Sequence, residues 1–313
     1  SEYVNEIISY IKTLVDKGFA YEMNGSVYFD IQKYQDKNFK YGKLVPEQIG
    51  NSELLKEGEG KLVSQDKKKS ESDFVLWKKT KDDKTEPFWD SEWGKGRPGW
   101  HIECSVMSCF AFKDLSCGYL DVHAGGVDLK FPHHENEEAQ SSAYLNCKHW
   151  TKYWLHTGHL NIKGLKMSKS LKNFITIKEA LNEYTARQIR FCFILHKYNN
   201  TMDYSEDTMN NAIIIEKIFN EYFHNIKAIL RKYPDGSGKQ YLSEEDKNII
   251  NYLEKVKQNV HISLLDDFDT PKCVNYLLEL VKEVNKYIDH NKYSTTILFS
   301  CSKYLTYILR IFG

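Results

Sequence analysis

The chain has 313 residues, 41% hydrophobic and 27% charged, which is typical of a folded protein large enough for two domains. Lysine plus arginine equals aspartate plus glutamate at 43 each, so overall charge neither favours nor excludes a nucleic-acid partner. No run of 18 apolar residues occurs and the first residues are amphipathic, so we expect neither a membrane span nor a targeting peptide. Seven scattered cysteines favour a reducing compartment, and we expect a cytoplasmic protein.

The N-terminal part of the chain predicts a helix, a hairpin and a loop region. Apolar residues recur at helical spacing over residues 3–15, and Gly18 is predicted to end that helix. The Asn-Gly pair at 24–25 separates two strand-like runs, which is typical of a type I′ hairpin. Residues 32–72 are polar and rich in lysine, which predicts extended loops or a surface insertion.

Residues 73–130 are aromatic and punctuated by glycine. The run "RPGWHIECS" (97–105) places Cys104 after a strand-like stretch, and residues 119–123 also read as a strand. The run "DVHAGGVDLKF" (121–131) leads from that strand through a glycine pair towards a predicted helix.

The remainder of the chain changes from mixed to helical. Residues 135–147 predict a helix, "YWLHTGHLNI" (153–162) a strand, and "KGLKMSKSLKN" (163–173) a cationic loop. Beyond about residue 178 only helices are predicted, including four long amphipathic ones. This order predicts a mixed α/β domain followed by an antiparallel helical bundle.

The run "FPHHENEEAQ" (131–140) is the strongest candidate for a metal site. Residues four apart share a helix face, so either His133 with Glu137 or His134 with Glu138 could bind one ion. The spacing does not choose between the pairs, and a charged surface helix without metal is the third interpretation. The zinc-protease pattern H-E-x-x-H is not matched, because the position four residues after His134 is a glutamate.

Three further signals favour a functional site. Cys104 offers a thiolate to a soft metal. Gly125 and Gly126 allow a ligand to approach the backbone closely. Lys166 and Lys169, in the compact run "KMSKS", suit a phosphate that gains negative charge during a reaction.

Taken together, "RPGWHIECS", "FPHHENE", "KMSKSLKNF" and "DDFDTP" resemble the signatures of cysteinyl-tRNA synthetases, in the order of that family. The run "KYGKLVPEQIGNSELLKEGEGKL" is similar to the version in eukaryotic members. The resemblance covers essentially the whole chain. It implies an α/β fold, the second half of a class I synthetase Rossmann-like nucleotide-binding fold with a connective insertion, followed by an all-α helical bundle.

The resemblance also divides the chain into regions. Residues 1–95 would be the connective insertion, and 96–165 the second half of the Rossmann-like catalytic domain with the zinc site. Residues 166–204 would hold the KMSKS loop and a region that contacts the tRNA stem, and 205–313 the helical bundle.

The implied activity is ATP-dependent activation of L-cysteine to cysteinyl-adenylate. The cysteinyl group would then be transferred to the 3′-terminal adenosine of tRNA(Cys). ATP, L-cysteine and tRNA(Cys) are the implied partners, with no membrane.

The resemblance implies one Zn²⁺ bound by Cys104, His133 and Glu137, which would select the first of the two helix pairs. The thiolate of the substrate would bind this zinc directly, and serine would be rejected because its hydroxyl stays protonated. The family's fourth zinc ligand is a cysteine that lies, with an HIGH-type motif, before the point where this sequence starts. We therefore expect this fragment to be inactive alone.

The resemblance assigns substrate contacts as well. Trp100 and His123 would form an aromatic wall around the amino acid, and His156 would line the pocket.

The nucleotide contacts follow from the same resemblance. Gly125, Gly126 and Asp128 would lie against adenosine, with Asp128 suited to the ribose hydroxyls. Lys169, with Lys166, would stabilise the α-phosphoryl transition state, and Mg²⁺ would accompany ATP.

Some residues depart from the family pattern or imitate it. Ala124 stands where the family has glycine, and we expect only a small adjustment. The run "HTGH" (156–159) matches H-x-G-H, but it follows a strand without opening a helix, so we do not assign it to ATP. We expect His159 to be structural and Cys109 to be a packing residue, and we assign neither Cys109 nor Cys117 as the fourth zinc ligand.

Two alternatives remain open at the level of sequence. One is a related ligase that transfers activated cysteine to the amine of an aminosugar. The other is a non-catalytic zinc- or RNA-binding module.

Overall fold

The structure is a computed structural model that describes residues 2–51, 53–54, 68–82, 84–167, 173–233, 242–289 and 293–313. Backbone contacts divide the chain into two compact units, Ser1–Thr157 and Gly158–Gly313. Within the described part of the chain, no helix combines the length and the apolar character needed to cross a membrane.

The first unit contains helices and strands in alternation. Its helices are α1 (Val4–Asp16), α2 (Ile31–Asp36), α3 (Trp100–Ser116) and α4 (Glu135–Leu145). Its strands are β1 (Ala20–Met23), β2 (Ser26–Phe29), β3 (Phe74–Lys79), β4 (Gly96–Pro98), β5 (Leu120–Gly126) and β6 (Thr151–Thr157). Strands β1 to β4 form an antiparallel sheet in chain order, whereas β5 and β6 form a parallel pair.

The N-terminal helix and hairpin agree with the predictions. Helix α1 buries Ile7, Ile11 and Leu14 at helical spacing, and Gly18 follows it with a φ of 73°. In the hairpin between β1 and β2, both central residues at 24–25 have positive φ, which is the type I′ geometry. Local sequence signals were sufficient here.

The prediction of extended surface loops over residues 32–72 is wrong in its first half. Tyr34, Tyr41 and Val45 are only 0%, 3% and 6% exposed, and α2 begins one residue before this range. Because the segment is rich in lysine, its composition did not indicate that these tyrosines are buried. They pack into the core of the unit. The second half of the prediction falls largely on residues 55–67, which lie outside the described residues.

The parallel pair β5–β6 positions the candidate site. Helix α4 connects the two strands in a βαβ arrangement, and Gly126 pairs with Thr157 at their carboxyl ends. In open α/β sheets, ligands bind at this edge. The backbone is extended at Phe131, with a φ of −141° and a ψ of 134°, and this kink precedes α4.

The second unit is a small sheet followed by helices. Its strands β7 (Leu160–Ile162), β8 (Leu165–Lys166) and β9 (Met202–Tyr204) pair in the order β8-β7-β9. Its helices are α5 (Ile177–Glu183), α6 (Ala186–Ile194), α7 (Glu206–Lys232), α8 (Glu244–Leu265), α9 (Thr270–Asp289) and α10 (Thr295–Phe312).

Helices α7 to α10 are the four long amphipathic helices predicted from the sequence. They share an apolar core in which Leu277, Leu280, Leu298 and Leu305 are 0% exposed. The combination of an α/β part and a helical bundle is therefore confirmed. The prediction of helices alone beyond residue 178 is wrong at β9. That strand is stabilised by parallel pairing with β7, whose partner residues lie 42 positions earlier in the chain.

Candidate metal and substrate site

Cys104 lies on a helix and not after a long strand. Strand β4 ends at Pro98 and α3 begins at Trp100, so the strand-like interpretation of residues 97–103 is wrong after its first two residues. Ile102 and Val106, four residues apart, are both 0% exposed and pack α3 against the core. This helical spacing was present in the sequence.

The structure brings Cys104, His133 and Glu137 together. Their ligand atoms Sγ, N and O all lie within 4.8 Å of one another, and we call these three residues the sulfur set. His133 Nε2 lies 3.0 Å from Glu137 Oε1, across one turn of helix. His133 and Glu137 are 3% and 0% exposed.

A second group of potential ligands shares Glu137. His123, His134 and Glu137 also have ligand atoms within 4.8 Å of one another, and we call them the histidine set. His123 Nε2 lies 3.3 Å from Glu137 Oε2, and His134 Nε2 lies 4.0 Å from Glu137 Oε1. Sequence reasoning missed this set. Glu138, the other glutamate considered from spacing, instead forms an ion pair with Lys43 at 2.6 Å.

The electrostatics of Glu137 and Cys104 suit a cation between them. Burial alone would raise the pKa of the Glu137 carboxyl, but the imidazoles of His123 and His133 outweigh it and lower the pKa to about 2. Neither of its carboxylate oxygens accepts a hydrogen bond of good geometry within the described part of the chain. Burial, with Glu137 and Glu103 nearby, raises the pKa of the Cys104 thiol to about 12.

These observations agree with a zinc site. A thiol, an imidazole and a carboxylate are the three ligand types that zinc uses in proteins. An ionised, buried carboxylate that faces only imidazoles, without well-aligned hydrogen bonds, is costly unless a cation balances it. The residues present therefore fit the metal that the family resemblance implies.

His101 orients the imidazole of His133. The two Nδ1 atoms are 2.9 Å apart, so one ring donates a hydrogen bond to the other. Burial, together with His133, lowers the pKa of His101 to about 3, so its ring is neutral at pH 7. The contact leaves Nε2 of His133 directed towards Glu137. It was not predicted from the sequence because His101 and His133 are 32 positions apart.

Trp100 and His123 contact different histidines of the site. The Trp100 ring centroid is 4.2 Å from that of His133, and the residue is 42% exposed. The His123 ring lies 4.6 Å from His134 and 5.0 Å from Trp154. Trp154 was not singled out from the sequence, although it lies in the predicted strand of residues 153–162.

His156 contacts the site through His134. Its Nε2 atom lies 2.8 Å from Nδ1 of His134, and burial lowers the pKa of both rings to about 4. Both are therefore neutral at pH 7 and one donates to the other. A Cβ on Gly125 would lie 2.7 Å from Cε1 of His134, so close approach of this imidazole explains the glycine.

Gly126 and Asp128 lie at the carboxyl end of β5. A Cβ on Gly126 would be 2.4 Å from Oδ1 of Asp128, so this glycine gives room to the carboxylate. Asp128 is exposed and available to a ligand. Of the two lysines assigned to catalysis, Lys166 belongs to β8, and Lys169 lies outside the described residues.

Three residues that we did not assign to the site from the sequence are Cys109, Cys117 and His159. Cys109 is half-buried on α3 and packs near Gly118, and Cys117 is the exposed left-handed residue that ends this helix. Neither belongs to a group of potential metal ligands among the described residues. The backbone carbonyl of His159 accepts a hydrogen bond from the N–H of Met202 at 2.9 Å, and strand β7, not a helix, follows "HTGH" directly.

Comparison with known proteins identifies two families along the chain. Residues 1–214 match the family described as tRNA synthetases class I (C) catalytic domain, and residues 259–313 match the DALR domain. The chain is 47% identical over 321 residues to the cytoplasmic cysteine–tRNA ligase of Dictyostelium discoideum, covering all of this chain and 47% of that protein. The Homo sapiens protein of the same name is 46% identical over 325 residues, with 42% of it covered. The chain thus spans less than half the length of these curated relatives.

Solved structures show the same fold at low identity. Mycobacterium tuberculosis methionyl-tRNA synthetase bound by methionyl-adenylate matches with a TM-score of 0.60 at 14% identity, over 84% of this chain and 52% of that chain. A putative arginyl tRNA synthetase from Campylobacter jejuni matches with a TM-score of 0.59 at 14% identity, over 96% of this chain and 58% of that chain.

Proposed function

Because the chain belongs to the family of class I tRNA synthetases (C), we propose that the protein containing it is a cysteine–tRNA ligase. In the first step, a carboxylate oxygen of L-cysteine attacks the α-phosphorus of ATP, which forms cysteinyl-adenylate and releases pyrophosphate. In the second, a ribose hydroxyl of the 3′-terminal adenosine of tRNA(Cys) attacks the activated carbonyl and releases AMP. The cytoplasmic names of the relatives support the same location for this protein.

The observation that carries this proposal is the sulfur set, in which a half-buried cysteine lies beside a buried histidine and a buried glutamate. A zinc ion held by Cys104, His133 and Glu137 would accept the thiolate of cysteine as a further ligand and would discriminate against the hydroxyl of serine. Discrimination based on a polar group of the substrate reaches high ratios without a separate editing step. The identity to cysteine–tRNA ligases over the whole chain agrees with this selectivity.

The residues around the sulfur set would bind and orient the amino acid. Trp100, which is 42% exposed and whose ring lies 4.2 Å from that of His133, would offer an apolar wall to the substrate side chain. His123 and His156 would complete the pocket on the β5–β6 side, with His134 between them. The neutral rings of His134 and His156 can donate a hydrogen bond without adding positive charge.

The carboxyl ends of β5 and β6 would bind ATP with its Mg²⁺. We assign Gly125 and Gly126, which make room for His134 and Asp128, to the adenosine side of this edge, where the exposed Asp128 carboxylate suits ribose hydroxyls. We assign Lys166 and Lys169 to the α-phosphoryl group and the departing pyrophosphate, where the positive charge of lysine would stabilise developing negative charge.

An aminoacylation assay with the full-length protein tests this proposal. With ATP and radiolabelled cysteine, we expect label in the tRNA(Cys) fraction that is lost on alkaline hydrolysis of the ester. Transfer of label to an aminosugar in place of tRNA would support the related ligase and contradict this assignment.

A further inference from the structure

The start of α4 carries four consecutive buried polar residues, 135–138, of which Glu137 belongs to the sulfur set. Glu135, Asn136 and Glu138 are 1%, 1% and 2% exposed, so each needs partners inside the protein. Partners for all three come from the segment 41–44, which lies more than 90 residues earlier in the chain.

Glu135 is held by three successive backbone N–H groups. Its carboxylate accepts hydrogen bonds from Gly42 at 2.8 Å, Lys43 at 2.9 Å and Leu44 at 2.8 Å, and both oxygens take part. Gly42 has a φ of 83°, a left-handed conformation that glycine adopts readily and that lets consecutive N–H groups converge on one anion. The glutamate is thus fixed in position and direction.

Two side chains of the same segment hold the neighbouring residues. The ammonium group of Lys43 lies 2.6 Å from Glu138 Oε1, and the backbone N–H of Trp150 donates to the same oxygen at 3.3 Å. The hydroxyl of Tyr41 donates to Oδ1 of Asn136 at 2.6 Å. Segment 41–44 therefore binds α4 at three side chains, one of which also joins the start of β6.

These contacts determine the direction of Glu137. Successive residues of an α-helix are about 100° apart, so Glu135 and Glu138 share one face while Glu137 points elsewhere. We propose that segment 41–44, through Glu135 and Glu138, is a positioning element for the sulfur set: it fixes the rotation of α4 and holds Glu137 and His133 opposite Cys104. This inference rests on the metal centre of the proposed function.

The effect is measured on the full-length protein by zinc affinity and by the absorption spectrum of the cobalt-substituted form. Glu135→Gln keeps the shape of the side chain but places an amide NH₂ against a backbone N–H. We expect its zinc dissociation constant to rise about 10- to 100-fold, as for other residues that orient metal ligands, and the cobalt bands to shift. Lys43→Met, which leaves the backbone N–H groups in place, should weaken zinc binding less and supplies the test if Glu135→Gln does not fold.

Asp73→Asn is the matched control. Asp73 is also a buried carboxylate, 2% exposed, and it accepts backbone N–H groups from Ile31 at 3.0 Å and Ser70 at 3.1 Å. We expect wild-type zinc affinity and cobalt bands in this variant. Unchanged zinc affinity and spectrum in Glu135→Gln and Lys43→Met would overturn the positioning role alone, as would an equal loss in Asp73→Asn. A wild-type protein that binds no zinc would overturn the metal centre of the proposed function as well.

Discussion

Glu137 Oε2 lies 3.3 Å from Nε2 of His123, while Glu137 Oε1 lies 3.0 Å from Nε2 of His133. One buried carboxylate is therefore common to the sulfur set and the histidine set. The two sets make different predictions about which substitutions remove a metal.

Metal content distinguishes the two sets. Cys104→Ser and His133→Ala should lower the zinc bound per protein, because zinc binds thiolate and imidazole and the sulfur set loses one ligand in each variant. His134→Ala should largely retain zinc. Elemental analysis of the purified full-length proteins measures this, and equal losses from the two histidine variants would contradict the assignment of the sulfur set.

Gly125→Ala should disturb His134. The added Cβ would lie 2.7 Å from Cε1 and 3.0 Å from Nε2 of the imidazole, closer than side chains pack, so the ring must move. We expect a loss of about 1–3 kcal/mol in the free energy of unfolding. Urea denaturation measures this free energy. Ala124→Gly, at the exposed neighbouring position, is the control and is expected to lower the free energy of unfolding less.

Ser105→Ala should destabilise the contact between α3 and α4. Ser105 Oγ donates to Oε1 of Gln140 at 2.6 Å, and both residues are 0% exposed. The substitution leaves a buried amide oxygen without this donor, which costs about 1–3 kcal/mol. Urea denaturation should show this loss for Ser105→Ala and much less for Ser116→Ala at the end of α3, where the serine is partly exposed and its backbone acceptors can bind water. Equal effects would contradict the account.

The stability of the first unit should fall at alkaline pH in part through Tyr10. Burial raises the pKa of this phenol well above its usual value of about 10, against a smaller lowering effect of the hydrogen bond to Ser141. The unfolded chain releases the proton near pH 10 while the folded state retains it. This stability is therefore present below pH 10 and lost above it, by up to about 1.4 kcal/mol per pH unit.

Tyr10→Phe removes that titration. The variant should stay within about 1.5 kcal/mol of the wild type at pH 7 and lose less stability between pH 10 and 11. Tyr153→Phe, at a residue that is 59% exposed, should follow the wild-type curve. Parallel curves for Tyr10→Phe and the wild type would contradict the role of the buried phenol.

Local patterns predicted the elements whose signals lie within a few residues. The Asn-Gly hairpin at 24–25, the helix stop at Gly18 and the four bundle helices all depend on neighbouring residues. Strand β9 could not be predicted in this way, because its three residues are ordered by pairing with β7.

The candidate site likewise combines contacts that local spacing predicts with contacts that depend on tertiary packing. Spacing brought His133 and Glu137 together but allowed His134 with Glu138 equally well. Lys43, 95 residues away in the chain, forms an ion pair with Glu138, and local spacing does not indicate this contact. The orienting contact of His101 likewise depends on tertiary packing and has no local signal.

Cysteine-dependent exchange of pyrophosphate into ATP tests the central claim most directly. The full-length protein, supplied with ATP, Mg²⁺ and labelled pyrophosphate, should form labelled ATP when L-cysteine is present and essentially none with L-serine. Exchange that does not depend on cysteine, or that proceeds equally with serine, would contradict the assignment of a cysteine-activating synthetase.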